Sequence, residues 1–167
     1  MRRKANPSPE DAEAARECCL RLLAAHARSA AELRDRLRRA GFATDVVEKV
    51  VTGLAGAGLV DDLEFARSWV AGRQAAGGIG KQKLRWELRR KGVANDLIER
   101  AIAEGVQEDT EAEQALLLAR KRLKGSDAKD LARVRRLLVS RGFGFDIVDA
   151  AMRRIPSDTD SDGDVQS

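Results

Sequence analysis

Three stretches of this chain align with one another without a gap. They are "ELRDRLRRAGFATDVVEKVV" from Glu32, "KLRWELRRKGVANDLIERAI" from Lys83 and "RVRRLLVSRGFGFDIVDAAM" from Arg133. Gly41, Gly92 and Gly142 fall in register about fifty residues apart. So do Leu33, Leu84 and Val134, then Leu37, Leu88 and Leu138, then Asp45, Asp96 and Asp146. Self-similarity at a fixed period is the signature of a repeat architecture, in which each unit buries part of its surface against the next.

The physics of one repeat is readable. Leucines four apart place an apolar stripe on a short helix. The glycine then ends that helix, because the residue after a helix often needs positive φ. Thr44, Asn95 and Asp146 are expected to cap the following helix. That helix carries its own apolar pairs, Val46 and Val47 with Val50 and Val51, and Leu97 and Ile98 with Ala101 and Ile102. A further amphipathic segment precedes each pair: about Asp11 to Ala27, then "DDLEFARSWVAGRQ", then "DTEAEQALLLARKRLK". The reading is an all-α chain of three tandem three-helix repeats, at 10–58, 59–107 and 108–155, stacked into an elongated, curved array. Residues 1–9 and the acidic tail 156–167 are expected to be disordered.

Composition agrees with helix and adds a charge asymmetry. Of the 167 residues 35% are charged, only 4% are aromatic and none is tyrosine, which leaves little case for a sheet. The net charge is +4, but the tail after Ile155 holds four aspartates and no cation, so residues 1–155 carry +8. A basic body points to a polyanionic or acidic partner. The two cysteines, Cys18 and Cys19, are adjacent and build no disulfide framework, which fits a reducing compartment. No apolar run reaches the roughly 20 residues that span a bilayer. A cytoplasmic protein without a membrane partner is expected.

Catalytic and nucleotide-binding chemistries find no support. The run "GGIGK" suggests a phosphate loop, but Ala75 stands where its first glycine is required and Gln82 where the magnesium-binding hydroxyl is required. The segment before it reads as helix, not strand. Gly77, Gly78 and Gly80 are therefore expected to be the loop between the first two helices of repeat 2. His26 is the only histidine, which removes histidine-based metal clusters, and it is expected at the surface. Asp61 and Asp62 are sequence neighbours at a helix start and read as a cap, not as paired catalytic carboxylates. No catalytic group, metal or cofactor is expected.

The informative stretch is the second helix of each repeat. Lys81, Lys83, Arg85, Arg89, Arg90 and Lys91, against Glu87 alone, give repeat 2 a local charge of about +5. Repeat 1 offers Arg34, Arg36, Arg38 and Arg39; repeat 3 offers Arg133, Arg135, Arg136 and Arg141. Trp86 aligns with Asp35 and Arg136, a polar position in both sister repeats, so it is expected to be exposed; packing against a neighbouring repeat is the other reading. Phe65 and Trp69, four apart on an apolar face, are expected in the core. A basic strip with an exposed indole fits direct nucleic-acid binding with steep salt dependence. It equally fits a protein partner with an acidic groove.

The stretch "GLVDDLEFARSWVAGRQAAGGIGKQKLRWELRRKGV" from Gly58 to Val93 resembles the RecX family, bacterial regulators of the RecA recombinase. Leu59, Asp61, Asp62, Phe65, Ala66, Val70, Arg73, the glycine loop, Leu88, Lys91 and Gly92 carry the likeness. "SAAELRDRLRRAGF" and "LLVSRGF" resemble the outer repeats, so about residues 12–155 are covered. Repeat 3 departs from the pattern at Val134 and Ser140, and the acidic tail lies outside it. The resemblance implies a curved, non-enzymatic monomer. It would lodge in the groove of the RecA–single-stranded DNA filament, inhibit extension, ATP hydrolysis, strand exchange and repressor cleavage, and so restrain recombination, DNA repair and the SOS response. The expected contacts are Arg34, Arg38, Arg39, Lys81, Lys83, Arg85, Trp86, Arg89, Arg90, Lys91, Arg133 and Arg136. The expected partners are the RecA filament and single-stranded DNA, with double-stranded DNA bound more weakly. A free-standing DNA-binding protein without RecA specificity is the alternative, and a scaffold with no nucleic-acid role is a third reading.

Overall fold

The computed structural model describes residues 8–125 and 127–155. The expected disorder of 156–167, and of most of 1–9, concerns residues outside that set. Within it, nine helices and no strand are found. Repeat 1 is α1 (Ala12–Ala25), α2 (Ala30–Arg39) and α3 (Thr44–Gly56). Repeat 2 is α4 (Asp62–Ala75), α5 (Lys81–Arg90) and α6 (Asn95–Gly105). Repeat 3 is α7 (Glu108–Arg122), α8 (Ala128–Ser140) and α9 (Phe145–Arg153). The chain divides into two compact units, Met1–Ser68 with Leu88–Ile98, and Trp69–Glu87 with Glu99–Ser167.

The turn between the second and third helices has the same construction three times. Gly41, Gly92 and Gly142 take φ of +91°, +74° and +82°, where any Cβ would be strained. The residue after each glycine donates its N–H back to a leucine carbonyl: Phe42 to Leu37 at 3.2 Å, Val93 to Leu88 at 3.2 Å and Phe143 to Leu138 at 3.3 Å. These are the long-range bonds of a Schellman turn, and all six side chains are buried. The turn thus closes the helix and delivers an apolar side chain to the core in one step.

In the first unit the repeat-1 core gathers Ala15 and Cys19 of α1, Leu33 and Leu37 of α2, and Val47, Val51 and Leu54 of α3. In the second unit the repeat-3 core gathers Ala115, Leu116 and Ala119 of α7, Val134 and Leu138 of α8, and Val148 and Ala151 of α9. Val134 fills the leucine position of the sister repeats and is fully buried. Phe65 is buried as expected. Trp69 is only half-buried, because its indole N–H donates to Glu87 at 2.9 Å and the Arg73 guanidinium lies 4.9 Å from its ring centre. His26 is exposed at the end of α1.

The caps differ from expectation. Ala43 and Gly144 occupy the capping positions of α3 and α9, and neither cap has a side-chain hydrogen bond. Thr44, Asn95 and Asp146 already lie inside their helices, and the extended residues are Ala43 before α3 and Gly144 before α9. Asn95 instead accepts from Arg89 Nε at 3.0 Å. Asp61 does cap α4, its Oδ1 accepting from Leu63 and Glu64 at 2.9 and 3.0 Å.

Candidate interaction surface

Ordinary packing explains one arginine in each repeat. Arg34 Nε donates to Glu48 Oε2 at 2.8 Å. Arg85 clasps Glu99 with Nε and Nη2, at 2.7 and 2.9 Å. Arg135 pairs with Asp149. Each carboxylate lies fourteen residues beyond its arginine, so the same arginine–carboxylate link ties the second helix to the third in all three repeats. The bidentate Arg85–Glu99 geometry is the strong form of the interaction, and the Glu99 hydrogen bond pushes the Arg85 pKa up.

The glycine loop serves a joint between successive repeats. Its backbone donors are spent inside the protein: Gly77 and Gly78 both donate to Gln74 O, and Gly80 donates to Arg141 O at 3.0 Å. Gln82 N–H then reaches Gly142 O at 3.2 Å. A Cβ on Gly80 would run into Gly142, and one on Gly142 would run into Lys83. Two backbones meet with no room for a side chain, and this contact, not phosphate, explains the glycines. The start of α5 is also held from repeat 3. Buried Glu111 accepts the Lys81 backbone N–H at 2.9 Å, and the Lys81 ammonium lies 3.6 Å from its other oxygen.

The first unit holds an equivalent joint in different chemistry. Ser29 is fully buried and forms a capping box with Glu32. Its hydroxyl donates to Lys91 O at 2.5 Å, the carbonyl in register with Arg141 O. Lys91 Nζ answers with a 2.6 Å bond to Glu32 Oε1. Asp62 Oδ1 accepts the Ala30 N–H at 2.8 Å, as Glu111 does for Lys81. Beside this network Gly92 faces Ala31, and a Cβ would collide with it.

The twelve expected contact residues now separate. Arg34, Arg38, Lys81, Arg85, Lys91 and Arg133 are engaged internally. Arg38 shares Glu48 with Arg34, and Arg133 holds Asp130 and the Arg122 carbonyl. Lys83 is half-buried with its stem against Gly142. Arg39, Arg89, Arg90 and Arg136 are exposed, Arg39 with an i,i+4 partner in Asp35. Trp86 is 55% exposed, as the register with Asp35 and Arg136 suggested. Sequence reasoning missed Glu48, Glu99, Asp149, Asp62, Glu111 and Ser29. The first three were visible as an acidic position common to "DVVE", "DLIE" and "DIVD"; Ser29 was visible as the S-x-x-E of a capping box.

Three three-helix repeats, each with a glycine turn and cations on its second helix, define a tandem helical-repeat protein. Family models describe the same division: the first, second and third three-helix domains of RecX match residues 15–54, 61–102 and 109–152. Regulatory protein RecX of Mycobacterium avium (strain 104) is 45% identical over 132 residues, covering 78% of this chain and 76% of its own. Regulatory protein RecX of Mycobacterium tuberculosis (strain ATCC 25177 / H37Ra) is 41% identical over 143 residues, covering 81% and 82%. The crystal structure of RecX from Lactobacillus salivarius superposes with a TM-score of 0.78 over 86% of this chain and 95% of that one; at 22% identity it speaks to the fold. The chain belongs to the RecX family of regulatory proteins.

Proposed function

We propose that this protein regulates the RecA recombinase by binding, not by chemistry of its own. It lodges in the groove of the RecA–single-stranded DNA filament and slows extension, ATP hydrolysis and strand exchange. Family membership supports the regulatory role. The observation that carries the mode of action is the division of labour among the cations. Arg34, Arg38, Arg85 and Arg135 are tied to carboxylates of the third helices, while Arg39, Arg89, Arg90 and Arg136 stand exposed with the Trp86 indole. Exposed guanidinium groups neutralise phosphates or acidic side chains, and an indole beside them stacks on a base or fills a pocket. Inhibition is then steric and electrostatic: a bound monomer occupies the place of the next event on the filament.

The test is RecA ATP hydrolysis on excess single-stranded DNA, with this protein far below one copy per RecA. The rate falls at low ratios, and W86A/R89E/R90E/R136E shifts the titration to much higher protein. An unchanged rate, together with salt-sensitive binding to DNA alone, moves the assignment to a free-standing DNA-binding protein, the reading an exposed indole among cations also serves. Lys81→Glu and Arg85→Glu are poor probes of the surface, because both break internal pairs.

A further inference from the structure

In the second unit, a cleft of about 330 Å³ opens between the Gly77–Gly78 loop, one face of α7 and the turn after α8. We propose that it docks an acidic segment of a partner protein that also carries a large aliphatic side chain.

Three observations point to that chemistry. The face of α7 changes character along its length, from Gln114 through Leu117 and Leu118 to Lys121 and Arg122, spacings that put all five on one side of a helix. Leu117 is 65% exposed, one of the most exposed large apolar residues described. Three cations, Lys121, Arg122 and Arg141, share the rim, and no carboxylate among the described residues lines the cleft. Arg34, Arg38, Arg39, Arg85 and Arg135 each stand beside a carboxylate, whereas none among the described residues lines this cleft, so the trio marks a place for an external anion. Finally, the amide oxygens of Gln74 and Gln114, both lining residues, are buried with no hydrogen-bond partner among the described residues. The Gln74 amide nitrogen donates to Ile79 O, which fixes its oxygen as an acceptor. Orphaned acceptors are costly. A peptide has backbone N–H groups to offer them; a phosphodiester backbone has none, and nothing aromatic lines the cleft for a base. The chain's own tail brings four aspartates but only Val165 as an aliphatic, a poor match for the leucine wall.

The test uses the full-length protein, a labelled peptide of alternating Glu and Leu, and a peptide of equal length and charge made of Glu and Ser. The Glu–Leu peptide binds about tenfold tighter, the worth of one buried aliphatic side chain. Leu117→Ser closes that gap, K121E/R122E abolishes both interactions, and oligothymidylate binding stays unchanged in these variants. Leu117, Lys121 and Arg122 are all exposed, so the variants keep the fold. Equal affinity for the two peptides overturns the proposal. So does loss of oligothymidylate binding with peptide binding intact, which makes the cleft part of a phosphate-binding surface. So does a large gain in peptide affinity when Asp158, Asp160, Asp162 and Asp164 are changed to serine, which makes the tail the occupant. The assay contains no RecA, so its failure leaves the regulatory reading standing.

Discussion

At the residue scale, Glu111 shows how a charge becomes structural. It is buried, and its two oxygens meet the Lys81 amide and ammonium at the start of α5. Glu111→Ala strands both donors, and urea unfolding is expected to show a loss of about 1–3 kcal/mol. Glu111→Gln keeps the acceptor and costs less. Asp130 illustrates a different use. The Gly125 and Lys124 amides, then Arg133, hold its carboxyl at about 2, below its ordinary 3.8. A depressed carboxyl adds stability above the unfolded value and loses it as the group protonates, so its contribution fades as pH falls from about 4 towards 2. Unfolding midpoints measured across that window should fall less steeply in Asp130→Asn than in the parent. Cys19 lies in the repeat-1 core, where burial, and secondarily Cys18 beside it, pushes its thiol up to about 11. Native protein at neutral pH should therefore take up one equivalent of alkylating reagent at half-buried Cys18, and the second only on unfolding.

At the element scale, three glycines in identical turns have unequal duties. Gly41 has open space around it, so Gly41→Ala meets only the backbone penalty of positive φ, on the order of 1 kcal/mol. Gly92 and Gly142 meet the same penalty and a collision, with Ala31 and with the Lys83 backbone respectively. Thermal unfolding should rank Gly142→Ala and Gly92→Ala well below Gly41→Ala. Gly80→Ala, free of positive φ, isolates the collision with Gly142 alone. The turns themselves were legible in the sequence, because glycine in register reports a backbone demand directly. The caps were not: the choice between Ala43 and Thr44 depends on where the Schellman turn releases the chain, one residue away from what side-chain preference suggests. The third repeat closes itself differently. Asp130 occupies the register position of Gly80, and α8 begins at Ala128, capped by Asp127. There the cap comes from within the repeat itself.

At the scale of the whole molecule, Arg39, Arg89, Arg90 and Arg136 are the exposed cations of the proposed contact set. If the exposed set contacts single-stranded DNA phosphates, the dependence of log affinity on log salt should flatten by about 0.7 for each contact removed. Arg136→Ala and Arg89→Ala should each change that slope, whereas Arg34→Ala, whose guanidinium belongs to Glu48, should lower stability and leave the slope nearly intact. Comparing slopes with unfolding midpoints therefore sorts binding cations from structural ones.

The sequence by itself determined the helical class, the threefold register, the glycine turns and the buried apolar positions. All of these follow from local backbone demands and a helical period, which act within a few residues. The exposure of Trp86 was legible for the same reason, through the polar residues at its sister positions. Only the tertiary structure decided which cations were spent. Whether an arginine faces solvent or a carboxylate fourteen residues away depends on how two helices cross. Whether Lys81 is a surface charge depends on Glu111, thirty residues along the chain. Periodicity places a residue on a face; the pairing of charges is set by which face another element brings opposite it.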